Sequence, residues 1–174
     1  MLHGFVLCKG VTDQKTARAT IDSIMSKLQS EPFNQLIIVV EYGRADTEFY
    51  NNLEIMERCL NGVVDSSVMV VINKVPNKAK QTRIKAGENP LFDLKNEMNR
   101  LRDEIARVLK FQISAHFSLV DESNEEDETE NDEEFERMRN VINMSESFEF
   151  TNVKKWSDVV RIAEDSRVSR EVQI

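Results

Sequence analysis

Glycine is scarce in this chain of 174 residues: Gly4, Gly10, Gly43, Gly62 and Gly87 are all there are, and none opens a GxxxxGK[ST] string. Without that string there is no glycine cradle of main-chain amides for a row of phosphates. Cysteine is scarcer. Cys8 and Cys59 are too few for a disulfide framework, and each sits beside a leucine (Leu7, Leu60), which reads as two reduced structural thiols. The two histidines, His3 and His116, have no Cys or carboxylate at metal-ligand spacing, so a zinc centre is not expected. No apolar run approaches the roughly 18 residues that span a bilayer, and the first residues lack the basic, apolar, small order of a secretory signal. The expected location is cytoplasmic.

What is present is a globular balance, 40% apolar and 31% charged. The net charge of −8 is local in origin: Asp121 to Glu136 holds 11 of the 31 acids and no Lys or Arg. The remainder, with 23 bases against 20 acids, carries +3. A block of like charges repels itself and has little to bury, which predicts an acidic flexible loop over 121–134. Calcium would want a glycine-containing loop with spaced ligands, and this run has no glycine.

Elsewhere apolar runs alternate with amphipathic stretches. Leu36-Ile37-Ile38-Val39-Val40 and Val68-Met69-Val70-Val71-Ile72 are continuous and β-branched-rich, the habit of strands buried on both faces of a parallel sheet. Phe111 to Ala115 is a third, weaker candidate strand. Between them, Ala17, Ile21, Ile24, Met25 and Leu28 share one helical face; Phe49, Leu53, Met56 and Leu60 another, opened by Asp46 or Thr47; and Leu94, Met98, Leu101, Ile105 and Leu109 a third, after Asn89-Pro90. Phe135, Met138, Val141 and Ile142 suggest a short helix, and Trp156, Val159, Val160 and Ala163 another. The order predicts an α/β fold, a partial doubly wound, mostly parallel sheet of three or four strands flanked by helices. Residues 1–120 would form the domain and 135–174 would complete it or pack on it. Ligands in such sheets bind where strands end, so the loops at Gly43–Asp46, Asn73–Lys78 and Ser114–Phe117 are where a site is sought.

These loops carry a resemblance. Val71-Ile72-Asn73-Lys74, followed after one helix by Ile113-Ser114-Ala115, looks like the fourth and fifth motifs of guanine-nucleotide-binding P-loop domains. Leu36 to Asn61, with Tyr42-Gly43-Arg44 and then a charged helix carrying Phe49, Leu53 and Met56, is similar to the AIG-type family, the immunity-associated GTPases known as GIMAP or IAN proteins. The resemblance spans roughly residues 1 to 120 and implies a GTP-binding fold that uses magnesium and often oligomerises through its nucleotide face. Asn73 and Lys74 would begin the base-holding loop, and Ser114 and Ala115 would close over the base. The departures are as informative. Pro76 stands where the base-reading carboxylate is expected, a loss on the order of 2 to 5 kcal/mol in base binding. Met1-Leu2-His3-Gly4-Phe5 falls where an Asp-x-x-Gly switch is expected, with Met1 in place of the magnesium-linked Asp, as though the chain began at the switch. The alternative reading of the same residues is structural: Asn73 and Lys74 end a strand, and Ser114 caps or turns.

The resemblance therefore implies a pseudo-GTPase, with weak or no nucleotide binding and no GTP or magnesium held as a cofactor, that acts through protein contacts. The competing expectation is an interaction fragment whose exposed sheet edge pairs with a full-length relative; the expected partner is a related GTPase or, in a homo-oligomer, the chain itself. No residue is assigned a catalytic role: there is no GxSxG and no carboxylate pair beside a histidine. Nucleic acid is not an expected partner, because the +3 outside the acidic run is spread along the chain and the run itself repels phosphates. Lys78, Lys80, Arg83 and Lys85 form a basic segment that reads as a solvated stretch after a strand-end loop.

Overall fold

A computed structural model of the chain describes residues 14–30, 32, 35–60, 68–87, 89–110, 113, 115–146, 153–155 and 158–159. Among these residues the elements run α1 (Gln14–Ser30), β1 (Leu36–Glu41), α2 (Thr47–Leu60), β2 (Val68–Val75), α3 (Lys78–Ala86), α4 (Leu94–Leu109), β3 (Ala115–Val120) and α5 (Glu125–Met144). The three strands form one parallel sheet in the order β1-β2-β3, with β2 in the middle. This is an α/β fold with helices on both faces, as the alternating pattern predicts.

Strand periodicity sorts the two layers. Leu36, Ile38 and Val40 of β1 and Val68, Val70 and Ile72 of β2 point to one face, where α1, α2 and α4 lay down Ile21, Met25, Leu28, Leu53, Met56, Ile105 and Leu109. Most of these side chains are essentially removed from water, each worth about 1.5–3 kcal/mol of transfer free energy. Cys59 lies in the same core, and burial, with lesser contributions from Asp22 and Asp158, pushes its thiol up to about 11. The residues between, Met69, Val71 and Phe117, face the other way and meet Met138, Val141 and Ile142 of α5. Among the described residues the sheet is thus covered by three helices on one face and by α5 on the other.

Local chemistry sets the element ends. Asp46 Oδ1 accepts from Phe49 N at 3.0 Å and opens α2. Asp93 Oδ1 accepts from Lys95 N at 3.0 Å and opens α4, three residues beyond the Asn89-Pro90 pair that marks its approach in the sequence. Lys110 closes α4 in the left-handed conformation, at φ 59°.

Three expectations need correcting. The third strand described is Ala115–Val120, which shares Ala115 with the expected stretch and leaves Ile113 outside it; Phe111, Gln112 and Ser114 are not among the described residues. This strand buries Phe117 between the central strand and α5. The acidic flexible loop over 121–134 is instead largely the first half of α5. Four acids, Glu125, Glu126, Asp127 and Glu128, fill its first turn, where the helix dipole favours negative charge, and Asn124 Oδ1 caps it by accepting from Asp127 N at 3.0 Å. Accordingly the boundary at 134/135 disappears, because α5 runs through it and packs on β3. The basic segment Lys78 to Lys85, expected as a solvated stretch after a strand-end loop, is the helix α3, with no buried residue of its own and held at its start by Asn77.

Of the segment expected to complete the domain, Val153 and Val159 are buried in the main core, and Val153 O accepts from Gln29 Nε2 at 2.7 Å. The expectations placed on Met1 to Phe5, Cys8, Phe111, Ser114, Trp156, Val160 and Ala163 lie outside the described residues. No described helix is long and apolar enough to cross a membrane.

Candidate functional site

In a parallel sheet the strands' carboxyl ends present their loops on one rim, here Glu41–Asp46 after β1, Val75–Asn77 after β2 and Asp121–Asn124 after β3. The central strand reaches the rim through a bulge. Ile72 pairs with Ser118 and Val75 with Val120, so β2 carries one residue more than β3 across this interval. Lys74 takes up the excess at φ 56°, a left-handed conformation uncommon for a residue with a Cβ. Asn73 supports it: its Oδ1 accepts from Lys74 N at 2.8 Å. Lys74 Nζ reaches Glu41 at 3.3 Å, and Arg44 Nε meets the same carboxylate at 3.1 Å across a turn that Gly43 makes at φ 75°. Tyr42 N donates to Asn73 O at 2.8 Å. Burial, and then the negative charge of Glu97, raise the Tyr42 phenol above its ordinary value against the opposing effect of Arg100, so it stays protonated.

The other half of the rim is a buried polar latch. Asn77, 2% exposed, uses its Oδ1 to cap α3 by accepting from Lys80 N at 3.0 Å. Its Nδ2 donates to Asp121 O at 3.2 Å, Ser123 Oγ at 2.7 Å and Asp127 Oδ2 at 2.8 Å. Ser123 adds two more bonds to that oxygen, from N at 2.9 Å and from Oγ at 2.8 Å. Burial by itself would raise the Asp127 carboxyl, but the bonds from Ser123, Asn77 and the Asn124 amide together outweigh it and hold Asp127 below the usual carboxylate range. One turn on, Asn131 imitates a strand: Oδ1 accepts from Val120 N at 2.8 Å and Nδ2 donates to Val120 O at 3.1 Å. Arg137 stacks over the Phe117 ring at 4.6 Å and donates to His116 O at 3.3 Å, so α5 occupies hydrogen-bonding groups of β3 that another strand would need.

The sequence-predicted site residues do not converge. Asn73 and Lys74 stand at the carboxyl end of β2, and their polar groups support the bulge and pair with Glu41. Ala115 pairs with Met69 at the opposite end of the sheet, four residues before Asn73, which at a strand's rise places the two roughly 13 Å apart. Ser114 lies outside the described residues. Pro76 is buried between the bulge and Asn77, its carbonyl accepting from Gln81 Nε2 at 2.9 Å.

The residues that organise the rim, Asn77, Ser123, Asp127 and Asn131, were not singled out by the sequence. Their signals are nonetheless there: Asn77 precedes a lysine-rich helix as a cap should, and Asp127, Asn131, Met138 and Ile142 keep helical spacing inside and beyond the acidic block. Among the described residues no group of three or more His, Cys, Asp or Glu could hold a metal ion. No family model matches the chain, and no curated protein matches it.

Proposed function

We propose that this domain is a GTPase-like module that acts through protein contacts, without nucleotide turnover. The observation that carries this reading is the commitment of the rim's side chains to one another: Glu41 to Lys74 and Arg44, Asn73 to the Lys74 amide, and Asn77 to Ser123 and Asp127. A nucleotide entering there would have to break bonds between groups that are already satisfied, and the sequence offers no glycine cradle to compensate. The resemblance to AIG-type domains accounts for the strand and helix order, while the residues that would hold guanine are replaced or set apart. Titration calorimetry with GTP, with and without magnesium, tests it. The expected result is no magnesium-dependent heat; magnesium-dependent binding with a micromolar Kd would end the reading.

A second reading is pairing through the side of β1 that has no strand partner among the described residues, with a second copy of this chain as the partner. It is favoured by the asymmetry of the sheet's edges. The β3 edge is engaged by Asn131 and Arg137, whereas β1 has no strand partner on its other side among the described residues. Its second-face residues Ile37 and Val39 are only partly buried.

A further inference from the structure

Away from the rim, α3, the start of α4 and the flank of β3 enclose an open groove of about 490 Å³. Two lysines converge on it, Lys85 from the last turn of α3 and Lys95 from the first turn of α4. Their situation differs from that of neighbouring lysines in the chain. Lys74, Lys78, Lys80 and Lys110 each hold a carboxylate, namely Glu41, Glu126, Asp121 and Glu57. Lys85 and Lys95 hold none among the described residues. The one carboxylate in the groove wall, Asp93, is engaged by the Lys95 and Asn96 amides and by Asn96 Nδ2 at 3.0 Å, 3.4 Å and 3.0 Å.

Between the lysines, β3 presents His116 and Ser118, and α4 presents Asn99. The three are half-buried, and the Ser118 hydroxyl and the Asn99 amide make no hydrogen bond with any described residue. Leu94 and Met98 add apolar surface beside these polar groups. A cavity of this size exceeds what a lone inorganic anion fills and lies in the range that takes a small organic ligand. Two ammonium groups, a hydroxyl and a carboxamide are donors suited to the oxygens of one doubly charged head.

We propose that this groove is a binding site for a small molecule with a phosphate-class anionic head and an apolar body. Lys85 and Lys95 bracket the head, Ser118 and Asn99 donate hydrogen bonds to it, and Leu94 and Met98 contact the body. His116 sets the pH dependence. Its imidazole is held below its ordinary pKa by burial, then by Arg102 of α4 and Arg137 of α5, against the weaker opposing pull of Glu134 and Asp103. The groove's own charges facing it are Lys85, Lys95 and Asp93. His116 is therefore neutral at pH 7, and as the pH falls through its lowered pKa it becomes a third cation, which offsets the loss of the head's own second charge at about pH 6.

The test is a titration of the full chain with phenyl phosphate and, separately, with inorganic phosphate, followed by amide chemical shifts at constant ionic strength. The expected result is a localised response at Lys85, Lys95, Asn99 and Ser118, tighter for phenyl phosphate and absent with chloride. The double substitution Lys85→Gln with Lys95→Gln weakens phenyl phosphate binding by about tenfold or more at unchanged Tm, while Lys74→Gln with Lys78→Gln leaves it unchanged. His116→Ala binds phenyl phosphate as the unaltered chain does at pH 8 and more weakly than it at acid pH. An equal loss in both double variants would mean diffuse surface electrostatics and would overturn the site, as would no response at millimolar ligand. A preference for inorganic phosphate would overturn the apolar body.

Discussion

Asn77 is the residue on which most of the rim depends. It is nearly sealed from water, caps α3 with one end of its amide and binds the β3 exit, Ser123 and Asp127 with the other. Asn77→Ala removes a cap, worth about 1 kcal/mol, and leaves buried partners short of a donor, so we expect a total loss of about 2 to 3 kcal/mol in urea unfolding at neutral pH. Asp127 supplies the pH dependence of the same latch. Because its folded-state pKa is depressed, the stability it contributes is present above its unfolded value of 3.8 and is lost as pH falls through the lower folded value. Asp127→Asn should therefore flatten the acid limb of a stability profile below about pH 4. An unaltered limb would assign acid sensitivity to other carboxylates. Neither residue stands out in the sequence, because an Asn after a proline and an Asp inside eleven acids are both masked by what surrounds them. Asn73 and Lys74 do stand out, and for a mundane reason: a bulge wants a residue that hydrogen-bonds its own backbone, the same property that makes Asn-Lys resemble a ligand loop.

At the scale of elements, β1, β2, α2 and α4 are legible because each has one dominant signal, an unbroken apolar run or a stripe at helical spacing. The strand β3 runs past its expected end because Ala115–Val120 continues the alternation of the stretch before it, and Phe117 at its middle packs against α5. The helix α5 is hidden because its charge dominates its periodicity; a first turn of four acids is favourable at the positive end of a helix dipole, where the same acids in a loop would merely repel. Lys110 ends α4 in a left-handed conformation that glycine adopts without a steric cost. Lys110→Gly should accordingly stabilise the fold by about 0.5 to 1 kcal/mol, since the ion pair it gives up with Glu57 at 3.1 Å is exposed on the lysine side and contributes little. Thermal unfolding checks this, and a lower Tm would show that the Lys110 side chain matters more than its backbone.

For the whole molecule, the informative feature is imbalance. Among the described residues three helices cover one face of the sheet and α5 the other, and α5 sits over β3, so within them the second face is best protected on the β3 side and least on the β1 side. The edges repeat the pattern: Asn131 substitutes for a strand at Val120, and nothing among the described residues does so on the far side of β1. A sheet defended at one edge, and with no strand partner at the other among the described residues, is suited to adding strands in one direction only, which limits association to a closed pair when two β1 edges meet. We expect light scattering after size exclusion to show a concentration-dependent dimer. Val39→Lys, which places a charge on the partly buried second face of β1 without touching the main core, should shift that equilibrium toward monomer by about tenfold or more while leaving the secondary structure intact. The substitution Phe135→Lys on α5, at a side chain already 41% exposed and remote from β1 in the chain, should leave it unchanged. A monomer at every concentration would dismiss pairing between copies and leave contact with a different protein as the route by which such a module acts.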